Sequence, residues 1–268
     1  MKRYYMGFDN GGTSTKAVLF DASGREVASA KRNTPVSALR PGFTERDMEA
    51  LWQANCEAVA ETIEKSGVDP ALIAGVSFSG HGKGLYLWGE NGPARPGIVS
   101  TDSRAYACAE QWNTDGTAER LFPKTCQSLL ACQPSALLKW ILENEPGVAE
   151  KAKYVFGVKD YVRFRMTGEA YSEITDMSGS GLVNLHTAAY DDEILRALGL
   201  ECVKDKLAPL VYSSEFCGKV TKDCAEKTGL KEGTPVAAGL FDIDACAIAM
   251  NIVNDTRIAA IAGTWSLN

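Results

Sequence analysis

Hydrophobic residues at the start of the chain fall into three short runs, separated by segments rich in glycine and polar residues. The runs cover residues 4–8, 17–20 and 26–31. Runs of this length between turn-forming residues are typical of β-strands joined by tight turns, and the last connection, DASGR, is a standard loop sequence. The pattern therefore predicts an antiparallel three-stranded meander at the N-terminus.

The next segment, residues 44–67, has the sequence TERDMEALWQANCEAVAETIEKSG. Its apolar residues recur at three- and four-residue spacing, which indicates one buried face of a helix. Thr44 and Asp47 provide capping side chains at the start, and Gly67 provides a stop. We therefore expect one long amphipathic helix directly after the meander.

Beyond residue 67 the pattern alternates between apolar runs and helical spacing. Strands are predicted at residues 73–80, 85–88, 234–240 and 256–263. Helices are predicted at residues 103–113, 134–145, 158–168, 191–200, 221–230 and 242–251. Three opening strands followed by this alternation predict an α/β domain with a mixed sheet. Because the last strand runs into the loop TWSLN, we also expect a truncated chain.

Composition argues against several classes of protein. The 268 residues carry a net charge of −6, whereas a surface that binds nucleic acid would be basic. The sequence shows no apolar window of about 18 residues for a membrane span and no signal-peptide core. Its eight cysteines are scattered without a C-x-x-C pair, which predicts buried, reduced thiols in a cytoplasmic protein. Its two histidines argue against a zinc site.

The turn between the first two predicted strands holds more chemistry than a turn needs. In FDNGGTSTKAVLFD, residues 8–21, the glycine N–H groups and the hydroxyls of Thr13 and Thr15 can donate to phosphate oxygens, and Lys16 can add positive charge. Asp9, at the strand end, can hold Mg²⁺ through water. A plain hairpin turn explains the glycines equally well, so both interpretations stay open on this segment alone.

A second candidate loop, SGHGKG at residues 79–84, follows a predicted buried strand. Loops at the ends of such strands commonly bind ligands in α/β folds. His81 can hydrogen-bond sugar hydroxyls through either ring nitrogen, and Lys83 lies two residues further on. The alternative is a glycine-rich turn with an exposed histidine.

Two further strand ends carry candidate residues. Asp242, in AAGLFDIDAC, follows a strand and opens a helix, so its carboxylate can accept a proton from a substrate hydroxyl that attacks phosphorus. A structural N-cap is the alternative, and Asp244 competes for either role. The segment AIAGTWS, residues 260–266, ends in a glycine and a hydroxyl residue, which indicates either a second phosphate loop or a simple turn.

Taken together, these segments resemble the N-terminal domain of the FGGY carbohydrate kinases, a branch of the actin, Hsp70 and hexokinase superfamily. The resemblance covers essentially the whole chain. The residues that resemble the first phosphate motif of the family are Asp9, Gly12, Thr13 and Lys16. The segment GTWS resembles the second phosphate loop and contributes Gly263 and Thr264.

Two other segments carry the resemblance. The segment VSTDSRA resembles a family segment beside the sugar and contributes Asp102 and Arg104. The stretch KDYVRFRMTGEAYSEITDMSGSGLVNL, residues 159–185, is the most specific match. The residues that carry this match are Asp160, Tyr161, Thr167, Gly168, Asp176 and Ser178.

The resemblance implies a ribonuclease H-like fold of the actin, Hsp70 and hexokinase type, with a mixed β-sheet flanked by helices. It implies that residues 1–268 form the sugar- and phosphate-binding domain, and that the adenosine-binding C-terminal domain lies outside this chain. The implied reaction is transfer of the γ-phosphate of ATP to a terminal hydroxyl of a ketopentose. Asp242 would be the catalytic base, His81, Lys83, Asp102 and Arg104 would contact the sugar, and Mg²⁺ would lie near Asp9.

Substrate choice follows from smaller features. The segments GHGKGLYLW and AGTWSLN resemble the branch that contains L-xylulose kinase. Ile243 stands where an asparagine is expected after the base, which argues against D-xylulose. The implied partners are a small sugar, ATP and the chain's own C-terminal domain, with neither nucleic acid nor membrane, and a homodimer is left open. The chain by itself is expected to be a weak or inactive catalyst.

Two other functions fit parts of the pattern. A sugar-binding or regulatory module on a kinase-like fold would explain the missing asparagine, but such a module needs no base. An ATPase of the actin or Hsp70 type would use the phosphate turn. It would have no use for the predicted sugar-side residues, His81, Asp102 and Arg104.

Overall fold

The computed structural model describes residues 3–252, 254, 256–262 and 266–267. The strands are β1 (Tyr4–Asn10), β2 (Ser14–Asp21), β3 (Glu26–Asn33), β4 (Ser37–Arg40), β5 (Phe43–Arg46), β6 (Ile73–Gly80), β7 (Tyr86–Trp88), β8 (Gly97–Ile98), β9 (Tyr154–Phe156), β10 (Ser172–Glu173), β11 (Val183–Asn184), β12 (Ala189–Tyr190), β13 (Leu210–Val211), β14 (Phe216–Lys219), β15 (Pro235–Ala237), β16 (Leu240–Phe241), β17 (Ile261–Ala262) and β18 (Ser266–Leu267). The helices are α1 (Met48–Ser66), α2 (Tyr106–Thr114), α3 (Thr117–Thr125), α4 (Pro134–Asn144), α5 (Pro146–Lys151), α6 (Val158–Thr167), α7 (Ile174–Ser178), α8 (Asp192–Leu198), α9 (Lys222–Thr228) and α10 (Asp242–Ala249). Two short 3₁₀ helices, Pro70–Leu72 and Glu201–Lys206, complete the set.

The main sheet is mixed, as the sequence predicts. Its strands lie in the order β14, β15, β6, β1, β2, β3, and β16 also pairs with β6. Strands β1, β2 and β3 are antiparallel neighbours and form the predicted meander. Strands β1, β15 and β16 each run parallel to β6. The carboxyl ends of β1, β6 and β16 therefore lie at the same edge of the sheet.

Helix α1 covers one face of the meander and lies against β2 and β3. Asp47 caps it by accepting hydrogen bonds from the backbone N–H groups of Glu49 and Ala50, and Gly67 ends it with φ 62°. The predicted capping role of Thr44 is wrong, because Thr44 lies in β5, which the apolar pattern did not predict. Among the helices of the described part, none is long and apolar enough to cross a bilayer.

Two hydrophobic cores hold the chain together in the described residues. The first lies between the main sheet and helices α1 and α6, where Phe8 and Phe78 stack with ring centroids 4.9 Å apart. The second lies among α2, α4 and α8 and includes Leu137, Ile141 and Leu195. Such burial supplies most of the stabilisation of a domain of this size.

The tail and the cysteines depart from the sequence-based expectations. Over residues 256–263 a strand was predicted, but residues 257–260 have no regular structure and only β17 is described as strand. Gly263 and Thr264, the predicted second phosphate loop, lie outside the described residues. All eight cysteines are unpaired, as predicted, but Cys126, Cys202 and Cys246 are exposed rather than buried.

Candidate active site

Three of the predicted loops meet at one edge of the main sheet. In the parallel register, Asn10 of β1 pairs with Gly80 of β6, and Gly80 pairs with Phe241 of β16. The backbone N–H of His81 donates to the carbonyl of Asn10 at 3.0 Å. The residues that directly follow these three strands therefore lie close together, so the glycine turn, His81 and Asp242 are neighbours.

The glycine turn between β1 and β2 has an inner and an outer side. Arg46, nearly fully buried, donates to the carbonyl oxygens of Gly11, at 3.3 Å, and of Gly12. Because N–H and C=O point in opposite directions in a trans peptide, the N–H groups of Gly12 and Thr13 face away from Arg46. A Cβ added to Gly12 would meet nothing within 4 Å, so the outer side is open. An open turn with two outward N–H groups fits a phosphate cradle. The predicted phosphate contact of the Thr15 hydroxyl is wrong, because Thr15 is buried and donates to Asn55 Oδ1 at 2.8 Å.

Asp9 and Lys16 face each other across the hairpin as a cross-strand pair, with Lys16 Nζ 3.6 Å from Asp9 Oδ2. Both side chains are about half exposed, and ion pairs of this kind are weak. Lys16 can therefore exchange its carboxylate partner for a phosphate oxygen with little loss of free energy. The structure thus keeps both residues at the mouth of the turn, where the sequence predicted them to act.

Asp9 is also the predicted magnesium ligand. Within the described ranges, no cluster of three or more His, Cys, Asp or Glu side chains could hold a metal ion by itself. Mg²⁺ usually keeps several waters and binds through one or two carboxylates together with substrate phosphates. The half-exposed carboxylate of Asp9, beside a phosphate-accepting turn, fits that kind of coordination.

His81 is buried and held in one tautomer. Its Nδ1 lies 3.1 Å from the carbonyl oxygen of Gly82, and a carbonyl can only accept, so Nδ1 carries the proton. Burial, with a further contribution from the charge of Arg46, lowers the pKa of His81 to about 4. The ring is therefore neutral near pH 7, and Nε2 is an acceptor 3.4 Å from the hydroxyl of Tyr86. The expectation that either nitrogen can meet a sugar is wrong, since Nδ1 is occupied.

Asp242 is the first residue of α10, and the N-cap position belongs to Phe241. The structural alternative of an N-cap aspartate is therefore wrong. The pKa of Asp242 is raised to about 6, chiefly by burial and partly by the negative charges of Asp9 and Asp244. The hydrogen bond from the backbone N–H of Ile243 and the positive charge of Lys83 act in the opposite direction. At pH 7 the group is still a carboxylate, but it holds a proton more strongly than an ordinary aspartate. Those are the properties of a general base.

The loop after β6 brings Lys83 toward this carboxylate. Lys83 has φ 63°, a left-handed conformation that the neighbouring glycines make easier to accommodate in a tight loop. Its charge is close enough to lower the pKa of Asp242. Asp244 lies two residues further along α10, and its pKa is raised by burial and by the negative charge of Glu173. Its carboxylate therefore interacts with the buried charges behind the site as well as with Asp242.

Asp102 and Arg104 form a separate, buried arrangement. Asp102 Oδ2 accepts from Arg104 Nη2 at 2.8 Å and from the backbone N–H of Thr44 at 2.7 Å. Arg104 also lies 2.8 Å from Glu45 and stacks over the ring of Phe43. The two side chains are 1% exposed or less, so this conformation presents neither of them to a ligand. Their predicted contact with a sugar stays a prediction.

Sequence reasoning missed three residues of the site: Arg46, Tyr86 and Thr175. Arg46 lies in the segment assigned to the start of α1, and Tyr86 lies in the predicted strand 85–88. The hydroxyl of Thr175 accepts a hydrogen bond from the backbone N–H of Phe241 at 2.9 Å. Tyr86 and Thr175 lie in segments that carry the family resemblance, but neither was named as a site residue, because the fold and not the spacing along the chain sets their contacts.

The fold and the residues at this edge of the main sheet define a class of protein. It is an α/β domain in which the ends of parallel strands place a phosphate-type turn beside a carboxylate with the properties of a base. Residues 4–249 match the model of the FGGY family of carbohydrate kinases, N-terminal domain. The chain belongs to this family. The family assignment made from the sequence is therefore confirmed.

Curated relatives share this sequence over most of its length. A probable L-xylulose kinase of Pasteurella multocida is 40% identical over 265 residues, which are 98% of this chain and 55% of that protein. The L-xylulose/3-keto-L-gulonate kinase of Escherichia coli is 37% identical in an alignment 270 positions long, which covers 100% of this chain and 54% of that protein. The chain therefore spans about half the length of the curated relatives it matches.

Solved structures of sugar kinases share the fold. The xylulose kinase of Rhodospirillum rubrum superposes with a TM-score of 0.88 at 26% identity, over 94% of this chain and 52% of that chain. The gluconate kinase of Lactobacillus acidophilus superposes with a TM-score of 0.87 at 26% identity, over 94% of this chain and 50% of that chain. The predicted fold class, a mixed sheet flanked by helices as in these kinases, is confirmed.

Proposed function

We propose that this chain is the sugar- and phosphate-binding part of a cytoplasmic, ATP-dependent pentulose kinase. L-xylulose or a related ketose is the proposed acceptor, because the curated relatives at 37–40% identity carry that name. The observation that carries the proposal is the position of Asp242. This carboxylate of raised pKa stands at the strand edge that also holds the glycine turn and His81. A non-catalytic sugar-binding module would have no use for such a base.

In the proposed reaction, Asp242 accepts the proton of the terminal sugar hydroxyl as the hydroxyl oxygen attacks the γ-phosphorus of ATP. The bond from that phosphorus to the β–γ bridging oxygen breaks, and ADP leaves. A pKa of about 6 lets the group be ionised at neutral pH and yet take up a proton readily. His81 Nε2 exchanges the Tyr86 hydroxyl, 3.4 Å away, for another hydroxyl of the sugar, accepts a hydrogen bond from that hydroxyl and so orients the sugar. The protein contributes positioning and charge stabilisation, which are the main needs of phosphoryl transfer.

The glycine turn is the proposed binding site for the phosphate chain. The outward N–H groups of Gly12 and Thr13 donate to phosphate oxygens, and Lys16 adds positive charge. Asp9 would hold Mg²⁺ through water, and the metal would supply charge neutralisation at the phosphates. Gly263 and Thr264 are proposed to donate from a second phosphate loop.

A thermal-shift titration with sugars tests the proposal. L-xylulose, D-xylulose, L-ribulose, D-ribulose, glycerol and xylitol are compared on the 268-residue chain and on two variants, His81→Ala and His186→Ala. A ligand that binds the folded state raises the melting temperature as its concentration passes Kd. We expect a shift with one pentulose that His81→Ala loses and His186→Ala keeps, since His186 is exposed and bonds the carbonyl of Pro123. Stabilisation by glycerol alone, or a shift that survives in His81→Ala, contradicts the proposed site.

A further inference from the structure

A cluster of buried charges lies behind the strand edge that carries Asp242. Lys159 Nζ lies 3.2 Å from Asp160, 3.2 Å from Glu173 and 3.3 Å from Asp176, and all four side chains are almost completely buried. We call these four residues the buried ionic cluster. Breaking such a cluster in a low-dielectric interior is strongly unfavourable, so its members are held rigidly. The cluster belongs to the stretch of sequence that carries the most specific family match, yet it contacts no proposed ligand directly.

Glu173 connects the buried ionic cluster to Thr175. Its carboxylate accepts from the backbone N–H of Thr175 at 2.9 Å and from the Thr175 hydroxyl at 2.7 Å. A hydroxyl has one proton, so donation to Glu173 fixes its orientation and leaves its lone pairs for other donors. One donor is the backbone N–H of Phe241, 2.9 Å from Thr175 Oγ1. Thr175 thus links the buried ionic cluster to Phe241, the residue directly before Asp242.

Phe241 is held on a second side by the loop that carries His81. A Cβ added to Gly82 would lie 2.5 Å from the Phe241 ring, so the ring packs directly on that glycine. Phe241 also pairs with Gly80 at the end of β6. The backbone before Asp242 is therefore fixed in two ways: the N–H of Phe241 donates to Thr175, and the Phe241 ring packs against Gly82 in the loop that carries His81.

We propose that Thr175 is a positioning residue for the base. Its hydroxyl, oriented by Glu173, fixes the N–H of Phe241 and thereby sets the place of the Asp242 carboxylate relative to the acceptor hydroxyl. This inference rests on the proposed function. Misplacement of a reacting group by about 1 Å can lower a rate by about a hundredfold, so a single tether of this kind matters for catalysis even where it contributes little to stability.

Two variants of Thr175 distinguish the effect of its hydrogen bond to Phe241 from the effect of side-chain packing. Thr175→Val keeps the shape and removes the hydroxyl, whereas Thr175→Ser keeps the hydroxyl. Thr187→Val is the matched control, because its exposed hydroxyl bonds only a local carbonyl, that of Asn184. The hydrogen-exchange rate of the Phe241 amide and the melting temperature are measured for each on the 268-residue chain. Because this chain by itself is expected to be a weak catalyst, kcat and KM with a pentulose are measured on a protein that also carries the C-terminal half found in the curated relatives.

We expect Thr175→Val to speed exchange of the Phe241 amide about tenfold and to lower kcat by about ten- to a hundredfold. The pentulose KM should change less than about twofold, because the tether acts on the base and not on the sugar. Thr175→Ser should restore both values, and Thr187→Val should match the wild type. A rise in KM with unchanged kcat, or a Ser variant as slow as the Val variant, overturns the inference.

The experiment also separates this inference from the proposed function. A wild-type protein that carries the C-terminal half found in the curated relatives and still phosphorylates no pentulose overturns the proposed function, and with it the catalytic role of Thr175. A wild type that turns over normally, beside a Thr175→Val variant with equal kcat, overturns the inference alone. In that second case a fast-exchanging Phe241 amide would show that the hydrogen bond exists and does not position the base.

Discussion

Arg46 and Gly12 are joined by a hydrogen bond from the guanidinium to the carbonyl on the inner side of the first turn. The same guanidinium reaches Gly11, so one buried side chain sets the direction of two successive peptides. The outward N–H groups of the turn are thus a consequence of an interaction with a strand about 35 residues away in sequence.

Replacing Arg46 by lysine should loosen the turn. A lysine ammonium is a compact charge and cannot hold two carbonyls in the fixed fork geometry of a guanidinium. We expect Arg46→Lys to raise the KM for ATP about tenfold, the loss expected for one charge-assisted hydrogen bond, and to change the pentulose KM less. Arg25→Lys, at the exposed turn after β2, is the control. An unchanged KM for ATP would show that the turn keeps its shape without Arg46.

Replacing the proposed base should increase stability and remove activity. The pKa of Asp242 is raised to about 6 in the folded state, so the folded state binds more protons than the unfolded state between about pH 4 and 6. The contribution of Asp242 to stability is therefore present at low pH and is lost as pH rises through 6. Since the group is partly exposed, we expect Asp242→Asn to stabilise the fold by only about 1 kcal/mol at pH 7 and by nothing at pH 4.

Urea unfolding at both pH values measures this difference. Phosphoryl transfer should fall by about 10²–10⁴-fold in the same variant, the range expected for a general base. Asp244→Asn is the matched control, because it removes the competing carboxylate on the same helix. If Asp244→Asn loses activity and Asp242→Asn keeps it, the roles of the two residues are exchanged.

His81 should make stability depend on pH in the opposite direction. Its pKa is about 4 when folded and about 6.5 when unfolded, so the unfolded state binds more protons between these values. The stabilisation from the neutral ring is therefore complete above pH 6.5 and is lost as pH falls toward 4. Relative to His81→Gln, we expect the wild type to lose about 2–3 kcal/mol of unfolding free energy between pH 7 and 4.

Denaturant unfolding of both proteins across this range measures the effect. His186→Gln, at an exposed position, should run parallel to the wild type. A His81→Gln curve parallel to the wild type would mean that His81 titrates normally and is accessible to water.

The buried ionic cluster should be sensitive to loss of its cation. Lys159→Met leaves Glu173 and Asp176 without the ammonium that they share, whereas Asp160 keeps Arg163 at 2.7 Å, and uncompensated buried charge typically costs about 3–5 kcal/mol. Lys139→Met is the control. It removes only a helix-surface pair with Glu143, worth about 0.3–0.5 kcal/mol. Chemical denaturation at pH 7 distinguishes the two, and equal losses would mean that the cluster is stabilised by other contacts.

Sequence patterns predicted what is local and regular. The meander, α1 and β6 have strong periodicity and clear turn or cap residues, and they form as expected. Strands β4, β5 and β8 are only two to four residues long, and each mixes apolar with polar or glycine residues, so no apolar pattern marks them. The predicted capping role of Thr44 failed for the same reason, because a four-residue strand ends just before the Asp47 cap.

The sequence predicted site residues that lie at or after the end of a strand. It did not predict residues that act by bonding a backbone group distant in sequence. Asp9, His81 and Asp242 each stand at or after the end of a strand, and parallel register brings them together. Arg46 and Thr175 act on backbone groups 35 and 66 residues away, a relationship that spacing along the chain cannot show. The tautomer of His81 is likewise set by the fold, through the carbonyl of Gly82.

Because the tautomer of His81 is fixed, the loop after β6 distinguishes a ligand group that carries a hydroxyl proton from one that does not. Nε2 of His81 offers only a lone pair, so a hydroxyl can donate to it, whereas a ketone or a methyl ether at the same place would bring a second lone pair and no proton. In this structure the Tyr86 hydroxyl, 3.4 Å from Nε2, supplies that hydrogen bond, so a ligand hydroxyl has to replace it, and a ligand without that proton would lose the bond without regaining it. A sugar methylated at the oxygen that faces His81 would therefore be rejected even if the methyl group found room.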